Sequence, residues 1–223
     1  MKYYAIIVAG GSGHRMKTHL PKQFLKLGDK PVLMHTIERF YRSELQPEIL
    51  TVLNENFFGY WKELCHTHHF DIPHSLIAGG KERFDSVKNA LNYIQDDSVV
   101  AIHDAVRPVV TNELITRCFK QAETKGSAIP VTASRDSLRR RENNTSRAVP
   151  RNDIWIVQTP QTFQSGLLKE AYNQPFSQEL TDDASVVEKM GREVFLTEGD
   201  TRNIKITYPE DVEVVSLFLR LNR

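Results

Sequence analysis

The 223-residue sequence has little cysteine and no long apolar run. Its two cysteines, Cys65 and Cys118, are far apart, which argues against a disulfide framework or a zinc site and is typical of a reducing compartment. No stretch reaches the length of a membrane span, and the first residues lead directly into a strand-like pattern. We therefore expect a cytoplasmic protein that is not exported and has no membrane partner.

The sequence also lacks an excess of charge of one sign. It contains 29 Lys and Arg against 28 Asp and Glu, so its formal net charge is only +1. No global positive field attracts nucleic acid, and any anionic ligand must be bound by a local cluster of basic residues. The length and the 40% hydrophobic content predict a single domain, 1–223, with an ordinary core.

Short apolar runs alternate with amphipathic stretches along the chain, beginning with a strand-like run at 4–8 and a helical pattern at 31–40. This alternation predicts an α/β fold with a Rossmann-like, mostly parallel sheet and helices on both faces. The further predicted strands are 49–53, 75–78, 99–102, 128–131, 193–196 and 204–206. The further predicted helices lie near 57–66, 84–94, 166–172, 182–190 and 209–221, and one more helix is predicted to begin at Asn112.

The alternation breaks at about 133–152, where arginines and asparagines replace most apolar residues. Composition leaves two alternatives open for this segment. It is either a disordered basic loop or a β-arm that packs on a neighbouring subunit.

A glycine-rich turn, AGGSGHRM at 9–16, follows the first predicted strand. Glycines let backbone N–H groups approach a polyphosphate, and Arg15 and Lys22 can add cationic donors; the alternative is a tight turn with two surface cations. No Gly-Lys-Ser/Thr follows, which excludes a P-loop. Met16 stands where a dinucleotide fingerprint needs its third glycine, so a nicotinamide-dependent dehydrogenase is disfavoured.

Four later motifs carry polar residues at element ends. HDAVRP at 103–108 lies at the carboxyl end of a predicted central strand, where open parallel sheets bind ligands, although its Asp and Arg could form only a structural salt bridge. GGKERFDSV at 79–87 and TDDAS at 181–185 suit helix N-caps, and NIKIT at 203–207 places a lysine in a strand-like run.

These motifs, together with G-x-G-x-R-M at 11–16, P-K-Q at 21–23 and the stretch 151–163, resemble the 2-C-methyl-D-erythritol 4-phosphate cytidylyltransferases over the whole chain. The resemblance implies transfer of CMP from CTP to this polyol phosphate, with Mg²⁺ as cofactor and pyrophosphate as the second product. It also implies a homodimer in which the arm at about 133–152 reaches the partner's active site. Catalysis would then rest on positioning and charge neutralisation.

The resemblance also assigns roles to residues. Arg15 and Lys22 would stabilise charge in catalysis, and Arg151 and Lys205 would position the attacking phosphate. Asp104 would lie beside the magnesium-triphosphate. The implied nucleotide-binding residues are Ala9, Gly10, Gly11, Gly13, Gly80, Lys81, Ser86, Asp104, Ala105 and Arg107, and the implied substrate-binding residues are Ser137, Arg151, Thr181 and Lys205.

The chain departs from the common family pattern at several positions. Lys81 stands where relatives commonly have Asp, which leaves a base contact from that side chain in doubt. Ser137 replaces a more frequent Thr, and Asp183 replaces Glu. Trp155 is expected in the core or in dimer packing rather than stacked on a base.

Two other functions remain open. Ribitol-5-phosphate cytidylyltransferases resemble this family and share the first loop and HDAVRP, whereas segments 135–137 and 151–155 favour methylerythritol phosphate. A non-catalytic nucleotide-binding protein is a different class, and the intact Arg15, Lys22, Asp104 and Lys205 argue against it.

Overall fold

The computed structural model describes residues 1–10 and 20–221. Among these residues, no helix is long and apolar enough to cross a membrane. The strands are β1 (Lys2–Val8), β2 (Lys26–Leu27), β3 (Lys30–Pro31), β4 (Glu48–Leu53), β5 (Ser75–Ala78), β6 (Ser98–Asp104), β7 (Ser127–Ala133), β8 (Leu138–Glu142), β9 (Thr145–Val149), β10 (Trp155–Val157), β11 (Gln161–Gln164) and β12 (Leu196–Glu198). The helices are α1 (Val32–Tyr41), α2 (Phe58–Thr67), α3 (Arg83–Leu91), α4 (Asn112–Lys125), α5 (Ser165–Ala171), α6 (Asp183–Lys189) and α7 (Pro209–Leu221).

Within residues 1–10 and 20–221, the main sheet has eight strands in the order β10-β7-β11-β6-β1-β4-β5, with β12 added on β7. β1 pairs in parallel with β4 and β6, and β4 pairs in parallel with β5. The chain proceeds from β1 to β4 and β5, then crosses to β6 on the other side of β1. This reversal makes the carboxyl ends of β1 and β6 the switch point at which such sheets bind ligands.

Helices cover both faces of the sheet, which confirms the predicted fold class. Alternate residues of β1 point to opposite faces because a strand has a side-chain period of two. Ala5 and Ile7 pack in one buried cluster with residues of α1, α2 and α4. Tyr4 and Ile6 pack in another with residues of α3, α5 and α6. A smaller cluster holds α7 through Val215.

Three parts of the strand prediction were wrong. Segment 204–206 is not a strand: it is held to the turn after β6 by a hydrogen bond from Ile206 N to Val106 O of 2.9 Å, without forming a ladder. β12 begins only at Leu196, at the end of the predicted 193–196. The antiparallel strands β10 and β11 were not predicted, because Gln158, Thr159 and the cis Pro160 interrupt their apolar pattern.

The segment at 133–152 contains an ordered hairpin of β8 and β9. The two strands pair from Leu138 opposite Val149 to Glu142 opposite Thr145. The turn places Asn143 at a φ of 52°, in the left-handed region that asparagine tolerates better than most residues. The disordered-loop alternative is therefore wrong, and packing on a neighbouring subunit stays a prediction.

Trp155 lies beyond this hairpin on β10 and is 49% exposed, so the core alternative is wrong, and the dimer-packing alternative stays a prediction. Ile154, Ile156 and Val157 are also exposed. The end of the sheet therefore presents a short row of apolar side chains to solvent.

We predict that Thr162→Val raises the free energy of unfolding by about 1 kcal/mol. Thr162 on β11 is fully buried, and its hydroxyl has no hydrogen-bond partner in the described part of the chain. Burying an unpaired hydroxyl is unfavourable by roughly 1–3 kcal/mol, whereas valine keeps the branched shape. Urea unfolding measures the difference, and a less stable variant would contradict the prediction.

Candidate active site

The turn after β6 lies directly beside the turn after β1. Asp104 is the register partner of Val8, and Ala105 N donates to Val8 O at 3.1 Å. Arg107 N donates to Asp104 O at 3.1 Å, which closes the turn. Thr36 of α1 fixes the turn from one face, since its Oγ1 donates to Ala105 O at 2.7 Å. Two predicted nucleotide-binding segments are thus brought together at the switch point.

Asp104 carries the central charge of this site. Its Oδ2 lies 3.0 Å from Lys205 Nζ and 3.3 Å from Arg107 Nε. Burial alone raises the pKa of Asp104, but Lys205, Arg83 and Arg107 more than offset this and hold its pKa well below the ordinary value. The carboxylate is therefore ionised at neutral pH and holds the cations around it in place.

Two lysines that are distant in sequence reach the same edge of the sheet. Lys205 pairs with Asp104 while its side chain stays 40% exposed. Lys22 is almost fully buried in a short 3-10 turn, and its Nζ donates to Ile206 O at 3.2 Å. Gln23 ties that turn to the end of β1, because its Nε2 donates to Ala9 O at 2.6 Å. One segment thus connects the two lysines, because Lys205 belongs to it and Lys22 donates to the next residue, Ile206.

Arg107 braces this site from within. Its Nη1 donates to Asn203 O at 2.7 Å, two residues before Lys205. Burial lowers the pKa of Arg107, and the neighbouring Asp104 opposes that effect. The structure shows Arg107 in this bracing contact, whereas the resemblance implied nucleotide binding. Contact with the nucleotide stays a prediction.

The loop between β5 and α3 holds the predicted base-binding residues. Gly80 N donates to Ser86 Oγ at 3.1 Å, and Ser86 Oγ donates to Glu82 O at 3.1 Å. A Cβ at Gly80 would lie 2.2 Å from Asp85 Cβ, so this position requires glycine. Asp85 accepts from Glu82 N at 3.0 Å, which confirms the predicted helix cap. Lys81 is exposed, and base contacts from this loop stay predictions.

The loop after β1 approaches α3 at Gly10. A Cβ built on Gly10 would lie 3.5 Å from Ser86 Oγ. The predicted phosphate-binding residues Gly11, Gly13 and Arg15 lie outside the described residues.

A partly buried ion pair joins the start of α3 to α6, and the sequence did not predict it. Arg83 Nη1 and Nη2 lie 2.8 and 2.6 Å from the two carboxylate oxygens of Asp183, and Tyr172 donates to the same carboxylate at 2.6 Å. Burial alone lowers the pKa of Arg83, but the negative charge of Asp183 raises it by a larger amount. The pKa of Arg83 therefore lies above its ordinary value. Both residues stand within motifs, but only the fold shows that they pair.

Thr181 is exposed and directly precedes the N-cap of α6. Asp182 Oδ1 accepts from Ser185 N at 2.9 Å, which confirms the predicted cap. Contact between Thr181 and a polyol hydroxyl stays a prediction.

Ser137 and Arg151 are exposed near the base of the β8–β9 hairpin. Arg151 Nη1 donates to Arg135 O at 2.9 Å within the same hairpin base. This hydrogen bond is local, and among the described residues neither Ser137 nor Arg151 forms an ion pair or hydrogen bond with the Asp104 carboxylate.

A buried polar pair lies behind Asp104. His103 is fully buried, its ring lies 5.0 Å from that of Phe40, and burial lowers its pKa to about 4. Its Nδ1 lies 3.0 Å from Thr159 Oγ1. His103 stands in the HDAVRP motif, but a histidine at a strand end carries no signal of its hydrogen-bond partner.

Comparison with known proteins identifies the family. The model of the 2-C-methyl-D-erythritol 4-phosphate cytidylyltransferases (IspD) matches residues 3–221. A protein of that name from Phocaeicola vulgatus is 48% identical over 219 residues, covering 98% of this chain and 100% of the relative. A protein of the same name from Bacteroides fragilis is 50% identical over 215 residues, covering 96% of this chain and 98% of the relative.

Solved structures agree. A 4-diphosphocytidyl-2C-methyl-D-erythritol synthase from Anaerococcus prevotii has a TM-score of 0.83 at 27% identity, with 98% of this chain and 96% of that one covered. A further structure named as that synthase has a TM-score of 0.82 at 30% identity, with 98% of both chains covered. The chain therefore belongs to the 2-C-methyl-D-erythritol 4-phosphate cytidylyltransferase family.

Proposed function

We propose that the chain transfers CMP from CTP to 2-C-methyl-D-erythritol 4-phosphate, giving 4-diphosphocytidyl-2-C-methyl-D-erythritol and pyrophosphate in the non-mevalonate isoprenoid pathway. As a member of this family, it is a cytidylyltransferase. The observation that supports this most is the cluster of Asp104, Arg107 and Lys205 at the sheet's switch point, with Lys22 bonded to the same segment. The predicted compartment remains the cytoplasm.

The reaction needs charge neutralisation more than proton transfer. An oxygen of the acceptor phosphate, ionised at neutral pH, attacks the α-phosphorus of CTP; a new P–O bond forms, and the bond to the pyrophosphate oxygen breaks. Lys205, open to solvent and oriented by Asp104, would hold the attacking phosphate. Lys22 would stabilise the negative charge that builds on the phosphates, with Arg15 in the role implied by the family resemblance.

Mg²⁺ fits this site as a partner of the nucleotide rather than as an ion held by the protein alone. The described residues contain no group of three or more His, Cys, Asp or Glu that could hold a metal. Mg²⁺ commonly binds one or two carboxylates together with substrate phosphates, and the ionised Asp104 could provide one such ligand. When bound, the ion would neutralise part of the triphosphate charge.

The identity of the acceptor is tested by pyrophosphate release with CTP and Mg²⁺. We expect faster turnover with 2-C-methyl-D-erythritol 4-phosphate than with ribitol 5-phosphate at matched concentrations. Faster turnover with ribitol 5-phosphate would reassign the acceptor while keeping the chemistry. No turnover with either acceptor would favour the non-catalytic alternative.

Lys22→Ala should lower kcat by roughly a hundredfold to a thousandfold, by analogy with removal of one preorganised donor from an oxyanion hole. The matched control is Lys26→Ala, because Lys26 is a nearby but exposed lysine. We expect the control to keep wild-type kcat in the same assay. Equal turnover in the Lys22 variant and the wild type would remove Lys22 from the catalytic set.

We also propose that the chain is a homodimer in which the hairpin completes the partner's site. Ser137 and Arg151 are exposed at its base. The neighbouring β10 and the residue before it present Trp155, Ile156 and Ile154 to solvent. An exposed apolar edge strand is unfavourable for a free monomer and suits a subunit contact.

Co-expression of Arg151→Ala and Lys205→Ala chains tests this arrangement. Each variant alone should lose most activity. A mixed dimer would contain one intact site of two, with Lys205 from one protomer and Arg151 from the other. Because random pairing makes about half of the dimers mixed, roughly a quarter of wild-type activity should return. Absence of any recovery in purified mixed dimers would contradict a shared site.

A further inference from the structure

The hydrogen bonds behind Asp104 form a chain with a defined direction. Asp104 N donates to Thr159 Oγ1 at 3.1 Å, so this oxygen acts as an acceptor on that side. The same oxygen lies 3.0 Å from His103 Nδ1. On the other side of the ring, His103 Nε2 lies 3.1 Å from Arg107 O. Thr159 and His103 therefore bond to each other and to the backbone of the turn at 104–107, which carries the Asp104 carboxylate.

The chemistry of these atoms fixes where the protons lie. A backbone carbonyl can only accept, so His103 Nε2 must carry a proton to bond Arg107 O. In the neutral ring, Nδ1 is then an acceptor, and the Thr159 hydroxyl donates its proton to it. Only in this tautomer does every donor of the hydrogen-bond chain face an acceptor.

Thr159 also reaches the segment that carries Lys205. Asn203 Nδ2 donates to Thr159 O at 2.8 Å, and Asn203 O accepts from Arg107 Nη1 at 2.7 Å. Asn203 and His103 are fully buried, and Thr159 is nearly so. Thr159 thus links the backbone of Asp104 to the side chain of Asn203, which lies two residues before Lys205. The side chains of Asp104 and Lys205 form the ion pair.

We propose that His103, as the Nε2–H tautomer, is a positioning residue that acts through the Thr159 hydroxyl to fix the Asp104 backbone and its carboxylate. His103 itself does not touch the reacting atoms. Loss of the hydroxyl would leave Asp104 N and His103 Nδ1 without a partner, and the turn would shift to find one. The kinetic part of this proposal rests on the proposed function, whereas the tautomer and the hydrogen bonds do not.

Isosteric pairs test the proposal kinetically. Thr159→Val should lower kcat by about tenfold or more, because small displacements of positioning groups have large effects on rate, and Thr159→Ser should restore most of it. Thr162→Val is the matched control: it removes a buried hydroxyl that has no partner in the described part of the chain and should leave kcat unchanged. Dividing kcat by the CTP-binding stoichiometry from calorimetry removes the effect of unfolded protein.

A second pair tests His103 directly. In His103→Asn, the amide oxygen can replace Nδ1 as acceptor for the Thr159 hydroxyl, so we expect kcat within about threefold of wild type. His103→Leu has a similar shape without an acceptor and should lose about tenfold or more. Wild-type kcat in both Thr159→Val and His103→Leu would overturn the proposal, as would an equal loss in Thr162→Val.

Nuclear magnetic resonance tests the hydrogen bonds without turnover. Among the eight histidines, His103 is assigned by its loss in His103→Asn. We expect the Nε2–H tautomer, and an upfield shift of the Asp104 amide proton in Thr159→Val but not in Thr159→Ser. An Nδ1–H tautomer or an unchanged amide would overturn the inference. If the wild type turns over no acceptor, the proposed function fails alone, and these spectra still test the inference.

Discussion

The ionised carboxylate of Asp104 is the interaction on which the rest of the site depends. It is nearly buried at the end of β6, where desolvation disfavours its charge, and it is kept ionised by Lys205, Arg83 and Arg107. A buried charge of this kind is tolerated only with close partners, so the surrounding segments must hold those cations in place. The turn after β6, the loop at Gly80 and segment 203–206 all meet this requirement.

The site also explains how a nearly neutral chain can bind anionic substrates. The overall charge of +1 gives no long-range attraction. Positive charge is instead concentrated at the carboxyl edge of the sheet, where Lys205 and Arg107 contact Asp104 and Lys22 donates to Ile206 O beside Lys205. Arg83 adds to this local field although Asp183 neutralises most of its charge. Such a local cluster can bind phosphate groups without making the whole surface adhesive to nucleic acid.

The sequence predicted the elements whose patterns are local. The bounds of β5 and α7 match the predictions, and the cap of α6 follows from TDDAS alone. It failed where tertiary pairing decides: β11 is a strand because it lies between β6 and β7, although Gln161 and Thr162 carry little apolar signal. Segment 204–206 reads as a strand, yet no neighbouring strand pairs with it in the described part of the chain.

Site residues divide in the same way. Asp104, Arg107 and Lys205 could be named from motifs, and the fold brings them together. The partners of these residues could not be named, because Arg83 with Asp183 and His103 with Thr159 are pairs across long sequence separations. Ser137 and Arg151 would reach a site only in the proposed dimer, and the single-chain fold does not place them beside Asp104.

The most direct test is to measure the protonation of Asp104. The side-chain carboxyl resonance of the folded protein reports this protonation as the pH is lowered. We expect this carboxyl to stay ionised well below the pH range in which an ordinary aspartic acid takes up its proton. In Lys205→Met, its pKa should rise toward that range. Protonation of wild-type Asp104 in the ordinary range, unaffected by Lys205→Met, would contradict the claim that the ion cluster organises the site.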